Sequence, residues 1–374
     1  MESGLLIGRV WGIPIRLHLS WFAIFFLVAW SLAMGYFPQE YASLRGTPAV
    51  VLGIVTSILF GLSVLLHELG HAWVAQRTQV PVRGITLFLF GGVAQVEKEP
   101  RKAGHEFWIA IAGPLVSVGL AGLFGLTWIL ARDVPVLAAP GVWLARINLA
   151  LGLFNLIPGF PLDGGRVLRA VVWKITGSYR RATRIASTTG QVVAFGFIGF
   201  GIFTIFRGDL FNGAWLAFIG WFLQNAAASV NSHLTMREML SGVRVSQVMD
   251  TSVPSVPGSM LLERLVNDRV ASSGEDAFLV HTDLDGRPDG LVTLRDVQKV
   301  PRQMWESVTI KQIMEPISDL VAVYPDMELV AALERMDDAK VAHIPVIDGA
   351  GLIRGLLSRQ HVLHYMRTRA QIGV

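Results

Sequence analysis

Hydrophobic positions in the first 228 residues fall in long unbroken runs rather than in the short alternations of a soluble core. The runs are Leu17–Phe37, about Ala49–Ala75, Phe107–Leu130, a stretch from near Val142 to Leu156, Gln191–Phe206 and Leu210–Ala228. A helix needs about 20 apolar residues to cross a bilayer core, so the pattern predicts about six transmembrane helices, the last two short. Pro114, in the first third of the third run, predicts a bend. Residues Met1–Arg16 alternate loosely around Gly8, Gly12 and Pro14 and predict a short interfacial strand or loop. Gln79–Glu99 is apolar and β-prone at its centre, broken by Gly91-Gly92, and too short to span. It predicts a membrane-associated β-hairpin or re-entrant segment, with a loop on the membrane surface as the alternative. Irregular backbone at membrane depth must pack on protein or line a cavity, and a hairpin edge could receive an extended substrate by strand addition. After Ser229 the composition becomes that of a soluble α/β region.

Polar residues change the picture at two places. The second run contains His67-Glu68-Leu69-Gly70-His71. Histidines four apart share one helix face, so both imidazoles can grip one tetrahedral metal. Glu68 lies beside them, where a carboxylate can take a proton from water activated by that metal. The bland alternative is a chance pair of histidines satisfied by hydrogen bonds. Charged groups at a bilayer centre cost roughly 2.5–3.5 kcal/mol each on insertion scales, which disfavours an idle cluster there. The second place is Asn155-Leu-Ile-Pro158-Gly-Phe-Pro161-Leu-Asp163-Gly164-Gly165, where two prolines and three glycines end regular helix. Asp163 is the only acidic residue between Arg146 and Asp209. It can point into the bundle as a third metal ligand, or cap a helix over Val167–Lys174.

Composition agrees with a membrane protein carrying some soluble mass: 374 residues, 52% hydrophobic and 16% charged. Cysteine is absent, so disulfides and thiolate metal sites are excluded, and a zinc site must use His, Asp or Glu. The net charge of +4 could suggest nucleic acid, but the basic residues flank apolar runs, and no direct nucleic-acid role is expected. The N-terminal arm and the loops after runs two and four hold thirteen Lys/Arg, against three (Arg45, Arg132, Arg207) in the opposite loops. The positive-inside rule then places both termini in the cytoplasm of a multi-pass inner or plasma membrane protein. The first run is too long for a typical signal-peptide core and is read as a retained span. His67 lies about ten residues from the cytoplasmic end of its run, roughly 15 Å deep at ~1.5 Å per residue. A hydrolytic site at that depth needs a water path.

The tail repeats itself. Val245-Ser-Gln-Val-Met249 matches Ile310-Lys-Gln-Ile-Met314, and Gly290-Leu-Val-Thr293-Leu-Arg-Asp296 matches Gly355-Leu-Leu-Ser358-Arg-Gln-His361. Helix patterns at Leu261–Val270 and Leu329–Met336 and strands at Ala277–His281 and His343–Ile347 lie between. Each half reads as strand, helix, strand, strand, helix. This stretch, Gly242–Met366, resembles a tandem pair of cystathionine-β-synthase (CBS) domains. The resemblance implies that Thr293 and Asp296 hold an adenine nucleotide such as ATP or AMP, the Asp on ribose hydroxyls. It also implies homodimerisation through the CBS pair. His361 stands where the second Asp is expected. The alternative is a structural or dimerising pair without ligand.

Together, His67-Glu68-x-x-His71 and Asn155…Pro158…Pro161-Leu162-Asp163-Gly164 resemble the site-2 protease family of intramembrane zinc metalloproteases, peptidase family M50. Phe90-Gly91-Gly92 and Ala112-Gly113-Pro114 extend the resemblance, and the CBS tail matches one subgroup. The resemblance implies one Zn²⁺ per chain held by His67, His71 and Asp163, with Glu68 as general base and acid. It implies that Asn155 helps bind the scissile carbonyl or its oxyanion; a helix–helix hydrogen bond is the alternative. Many members have Asn where Ser117 stands, so this sequence departs from the family's pattern there, which puts any polar role for that position in question. The remaining histidines carry no metal-like clustering: His18 and His105 sit at span ends, and His233, His281, His343 and His364 belong to the tail. The expected organisation is a transmembrane zinc metalloprotease domain at 1–228, a linker at 229–241, and a CBS pair at 242–374, with halves at 242–300 and 307–368. The expected activity is regulated intramembrane proteolysis of transmembrane or membrane-associated substrates in the lipid bilayer near its cytoplasmic side. Membrane-tethered regulators, anti-sigma factors and signal-peptide remnants are the substrates the family implies. A CBS-regulated transporter or channel is the rival from another class, and a metal-binding scaffold without catalysis is the second.

Overall fold

The computed structural model describes residues 4–88, 91–96, 100, 102–270, 275–281 and 288–372. The chain divides into two compact units, Met1–Leu234 and Thr235–Val374.

The first unit opens with β1 (Leu5–Val10) and β2 (Ile13–Leu17), joined by a tight turn in which Trp11 and Gly12 both take positive φ. The apolar helices follow: α1 (Leu19–Ser31), α2 (Thr47–Arg77), α3 (Ala103–Leu130), α4 (Pro135–Asn155), the shorter α5 (Asp163–Thr176), α6 (Tyr179–Phe206) and α7 (Leu210–Leu240). Between α2 and α3 lie β3 (Val82–Phe88) and β4 (Gly91–Val96). Five helical stretches among the described residues are long and apolar enough to cross a membrane: Leu19–Glu40, α2, α3, α4 and α6. α7 runs on through the region expected as a linker. No Gly or Pro interrupts it after Gly220, and Gly242, with φ +78, follows its end.

The expected hairpin forms, but as half of a larger sheet. Its strands order β1-β2-β3-β4, with β2 and β3 parallel and the outer pairs antiparallel. Phe90 of the expected Phe90-Gly91-Gly92 motif lies outside the described residues. Ile13, Ile85 and Leu87 of the sheet pack on Leu69 and Ala72 of α2, so the sheet rests on the helix that carries the histidines. α4 starts earlier than the near-Val142 start expected from sequence. Pro135 sits in its first turn, where its missing N–H costs nothing, and Pro140 is carried within the helix.

The second unit has two similar halves. In the first, β5 (Ser255–Pro257) runs parallel to β6 (Ala277–His281), which pairs with β7 (Pro288–Thr293). α8 (Leu262–Leu265) follows β5, and α9 (Leu294–Gln298) follows β7. In the second, α10 (Leu329–Asp338) precedes the hairpin of β9 (His343–Ile347) and β10 (Ile353–Ser358), and α11 (Arg359–Ile372) closes the chain. The halves interleave. β8 (Glu315–Pro316), just past the second motif, pairs with β7 of the first half, and Ile310 is buried in that half's core. Conversely Asp250 bridges Leu356, and Val245 and Val248 of the first motif are buried with Leu329, Ile344 and Leu357 of the second half.

Candidate metal centre

α2, α3 and α5 converge on one point. His67 and His71 lie on one face of α2, 4% and 5% exposed. The break after α4 returns the chain so tightly that Gly164 and Gly165 lie against the backbone of residues 156–160, where any Cβ would meet main-chain atoms at 2.3–2.4 Å. That turn sets Asp163 as the first residue of α5. The cap position of α5 is Leu162, one residue earlier, and the Asp163 carboxylate points at the histidines. His67 Nε2, His71 Nε2 and Asp163 Oδ2 form a triangle with sides of 3.1–3.2 Å.

The other ring nitrogens are also held. His71 Nδ1–H donates to the carbonyl of Ile109 at 2.6 Å, which leaves Nε2 with its lone pair facing the centre. His67 Nδ1 bonds Ser117 Oγ at 2.9 Å. Both partners belong to α3. Two imidazole nitrogens and a carboxylate oxygen thus meet at hydrogen-bond distance. A proton would satisfy one of these pairs; a divalent cation satisfies all three. Tetrahedral zinc bonded at about 2.0–2.1 Å spaces its donors by about 3.3 Å, close to the observed triangle. Room for an ion exists because position 113 is glycine: a Cβ there would lie 2.2 Å from His71 Nε2 and 2.6 Å from His67 Nε2. Among the described residues, His67, His71 and Asp163 are the group of metal-ligating side chains whose ligand atoms converge in this way.

A cavity of about 280 Å³ opens beside the triangle, lined by Glu68, Asn155, Arg166 and Gly92 in addition to the three convergent residues. Glu68 packs under β4, where a Cβ at Gly92 would sit 2.3 Å from its Cγ. The side-chain amide of Asn155 donates to the Leu151 carbonyl at 3.0 Å, within its own helix. The structure therefore brings together His67, Glu68, His71, Asp163 and Asn155, and adds Arg166 one turn after Asp163.

Sequence reasoning missed the supports. Ser117, where the chain departs from the family's Asn, is fully buried against His67. Arg169, counted among the loop charges, is also buried: Nε donates to Glu106 Oε1 at 2.6 Å, Nη2 reaches the same oxygen, and its guanidinium lies over the rings of Phe160 and Tyr179. This pair ties the first turn of α3, which presents Ile109, to α5, which presents Asp163. The available signal was an acidic residue, Glu106, opening a long apolar run.

Thr293 and Asp296 lie in the second unit. Asp296 Oδ2 accepts from the Thr293 N–H at 3.1 Å and hydroxyl at 2.7 Å, and Oδ1 accepts from Lys299 Nζ at 2.8 Å. Together Thr293 and Asp296 form a capping box at the start of α9. Burial pushes the Asp296 carboxyl up, but the hydrogen bonds from Lys299 and Thr293 outweigh it and hold it below its ordinary value. These residues line a cleft of about 650 Å³ between the two halves, where Arg295, Lys299, Lys340 and Arg359 face Asp276, Asp296, Glu315 and Asp337. At the equivalent turn of the second half, Ser358 Oγ accepts the His361 N–H at 3.2 Å, and His361 supplies no carboxylate.

The chain is similar throughout its length to known proteins. The model of peptidase family M50 matches residues 55–139 and 134–197, and the CBS domain model matches 310–368. The Synechocystis protein sll0528 is 34% identical over 99% of this chain and 97% of its own length. Rip3 of Mycobacterium tuberculosis is 37% identical over 90% of this chain and 86% of its own. Both names carry the description zinc metalloprotease. The solved site-2 protease from Methanocaldococcus jannaschii is 32% identical, covering 61% of this chain and 94% of that one, with a TM-score of 0.42. The likeness to sll0528 and Rip3, with five helical stretches apolar enough to cross a bilayer among the described residues, defines a zinc metalloprotease of a membrane. The chain belongs to peptidase family M50, the site-2 protease family, and carries a C-terminal CBS region.

Proposed function

We propose that His67, His71 and Asp163 hold one Zn²⁺, and that the chain cleaves transmembrane or membrane-associated proteins near the cytoplasmic face, in regulated intramembrane proteolysis. The observation that carries this is the buried 3.1–3.2 Å triangle of three ligand atoms among apolar helices. When bound, the zinc supplies Lewis-acid polarisation. Glu68, beside the ligands in the same cavity, takes a proton from the attacking water and returns it to the leaving amine. Asn155 presents the amide hydrogen not engaged by Leu151 toward the carbonyl oxygen of the scissile bond. Ser117 and the Ile109 carbonyl fix the imidazoles. β4, at the edge of its sheet and against Glu68, offers backbone groups that hold an extended substrate strand beside the base. With the buried Arg169 set aside, the bias of Lys/Arg remains twelve to three and supports cytoplasmic termini.

The first test is zinc per chain in purified protein. One zinc is expected in the wild type and in Glu68→Gln, and none in His67→Ala or Asp163→Ala. Glu68→Gln should lower proteolysis by about 10²–10⁴-fold. Zinc retained in Asp163→Ala would remove the third ligand from the proposal. Zinc retained in all variants would overturn the site.

In the CBS region an adenine nucleotide occupies the cleft at Thr293 and Asp296 and alters access to the protease site, with the CBS pair mediating a homodimer. The cleft balances four cations against four carboxylates, so phosphate binding there has to exchange existing ion pairs such as Arg359–Asp337 and Lys299–Asp296. Titration with ATP and AMP tests this. Binding lost in Asp296→Ala is expected, and rates of proteolysis unaffected by either nucleotide would refute the regulatory role.

A further inference from the structure

A second cavity, of about 320 Å³, lies directly beneath the metal cavity within the first unit. Its lining is almost wholly apolar: Trp21 and Phe25 of α1, Phe60 of α2, and Trp143 and Ile147 of α4. Val64, Gly91 and Leu151 stand in the walls of both cavities, so the two adjoin across these three residues. The helices explain the alignment. On α2, Val64 lies one turn below Glu68; on α4, Leu151 lies one turn below Asn155. Polar groups that act on a peptide bond thus form one layer, and an apolar layer follows under it on both helices. From Val64 down to Ser57 the cavity extends roughly 10 Å along α2.

The walls are built rather than accidental. Trp21 stacks on Phe25 at 5.4 Å, and Phe60 meets Trp143 edge-on at 5.8 Å, so an aromatic pair stands on each side. Trp21 closes onto α2 because Gly61 has no side chain; a Cβ there would meet its ring at 2.8 Å. At the far end lies the hydroxyl of Ser57, 2% exposed and without a hydrogen-bond partner. A chain passing the zinc site must place the side chain next to the scissile bond somewhere, and this apolar space adjoins that position across Val64, Gly91 and Leu151.

We infer that this cavity is a side-chain subsite that takes a bulky apolar residue, of leucine or phenylalanine type, beside the bond to be cut. The inference rests on the proteolytic reading of the metal cavity. It makes the enzyme selective for apolar residues, as a transmembrane segment supplies, and sets Ile147 and Phe25 as determinants of side-chain size.

The test uses zinc-loaded full-length protein in detergent and N-protected amino-acid hydroxamates as probes, with affinity read by calorimetry. The hydroxamate group addresses the metal, and the side chain addresses the cavity. The leucyl compound should bind about 100-fold more tightly than the glycyl compound, since four buried carbons contribute about that factor. Ile147→Trp, which fills the space, should leave glycyl affinity unchanged and shrink the gap below about 3-fold. Phe25→Ala should shift the preference to a naphthylalanyl side chain, and decides the matter if Ile147→Trp loses glycyl binding. A leucyl-to-glycyl gap that is absent in the wild type, or unchanged in both variants, would overturn the subsite. A co-purifying lipid expelled by Ile147→Trp in native mass spectrometry, with no gap, would make this a lipid site instead. Failure of the glycyl compound to bind the loaded protein would overturn the metal centre itself, and the subsite with it.

Discussion

At the scale of single residues, the site depends on side chains that are small as much as on those that bind. Gly113 leaves the space over the two Nε2 atoms, and Ser117 holds the ring of His67. Gly113→Ala is expected to abolish zinc binding while the helices persist, because its methyl would occupy the position of the ion. Ser117→Ala should keep zinc but weaken it by about 10–100-fold, the usual cost of losing a partner behind a ligating imidazole. Competition with a chelator of known affinity measures both. The i, i+4 pair His67 and His71 with Glu68 beside it was legible in the sequence because the proposed metal chemistry calls for that residue type and spacing on one helix. Ser117 and Ile109 were not, since their partners lie 50 and 38 residues away and only folding pairs them. The convergence of Asp163 on the two histidines likewise needed coordinates, since a ligand and a cap both place an acid at the start of a helix.

At the scale of elements, the apolar runs gave the helices, and the ends went astray where charge or proline interrupted the pattern. α6 begins at Tyr179 although Arg180, Arg181 and Arg184 occupy its first turns, because Ser178 accepts the Arg181 N–H and starts the helix there. The N-terminal strands were left open between strand and loop; pairing β2 with β3, 65 or more residues on, has no local signature. The Glu106–Arg169 pair joins α3 to α5, and Glu106 is 0% exposed. Removing one partner of a buried pair typically costs about 3–5 kcal/mol, so Arg169→Met should lower the melting temperature markedly and reduce zinc affinity by loosening Asp163. A Glu106→Leu/Arg169→Met double variant should recover much of the stability, since a buried pair can be replaced by apolar groups. In the second unit, Asp296 holds the start of α9 with a carboxyl below its ordinary value. A depressed carboxyl contributes stability above its unfolded pKa, near 3.9, and loses it as pH falls through the lower folded value. The protection of α9 amides against hydrogen exchange, compared with Asp296→Asn at the same pH, should therefore be constant above about pH 5 and fall only under more acid conditions.

At the scale of the whole molecule, the repeat in the tail was plain from its 65-residue spacing, but its packing was not. Sequence similarity divides the tail into 242–300 and 307–368; the cores divide it differently, each taking its opening motif from the other half. Both motifs look alike in sequence, so nothing local says which core each one enters. The consequence is a crossed pattern of effects. Ile310→Ala should cost about 2–5 kcal/mol and deprotect β6 and β7, although it lies in the second motif. A truncation of Val245 to Ala should deprotect β9 and β10 instead. Hydrogen exchange by mass spectrometry distinguishes this from the uncrossed result, in which each substitution loosens its own half.

The crossing also sets an order of events during synthesis. Val245 and Val248 leave the ribosome roughly a hundred residues before Ile344, Val346 and Leu357, the residues they pack against. At about 5–20 residues per second that is a wait on the order of 5–20 s. The first half is ready sooner, once Ile310 and β8 have emerged. Throughout this interval the opening motif has no native place to go. The tail therefore matures from its middle outward, and its earliest apolar segment is the last to be buried.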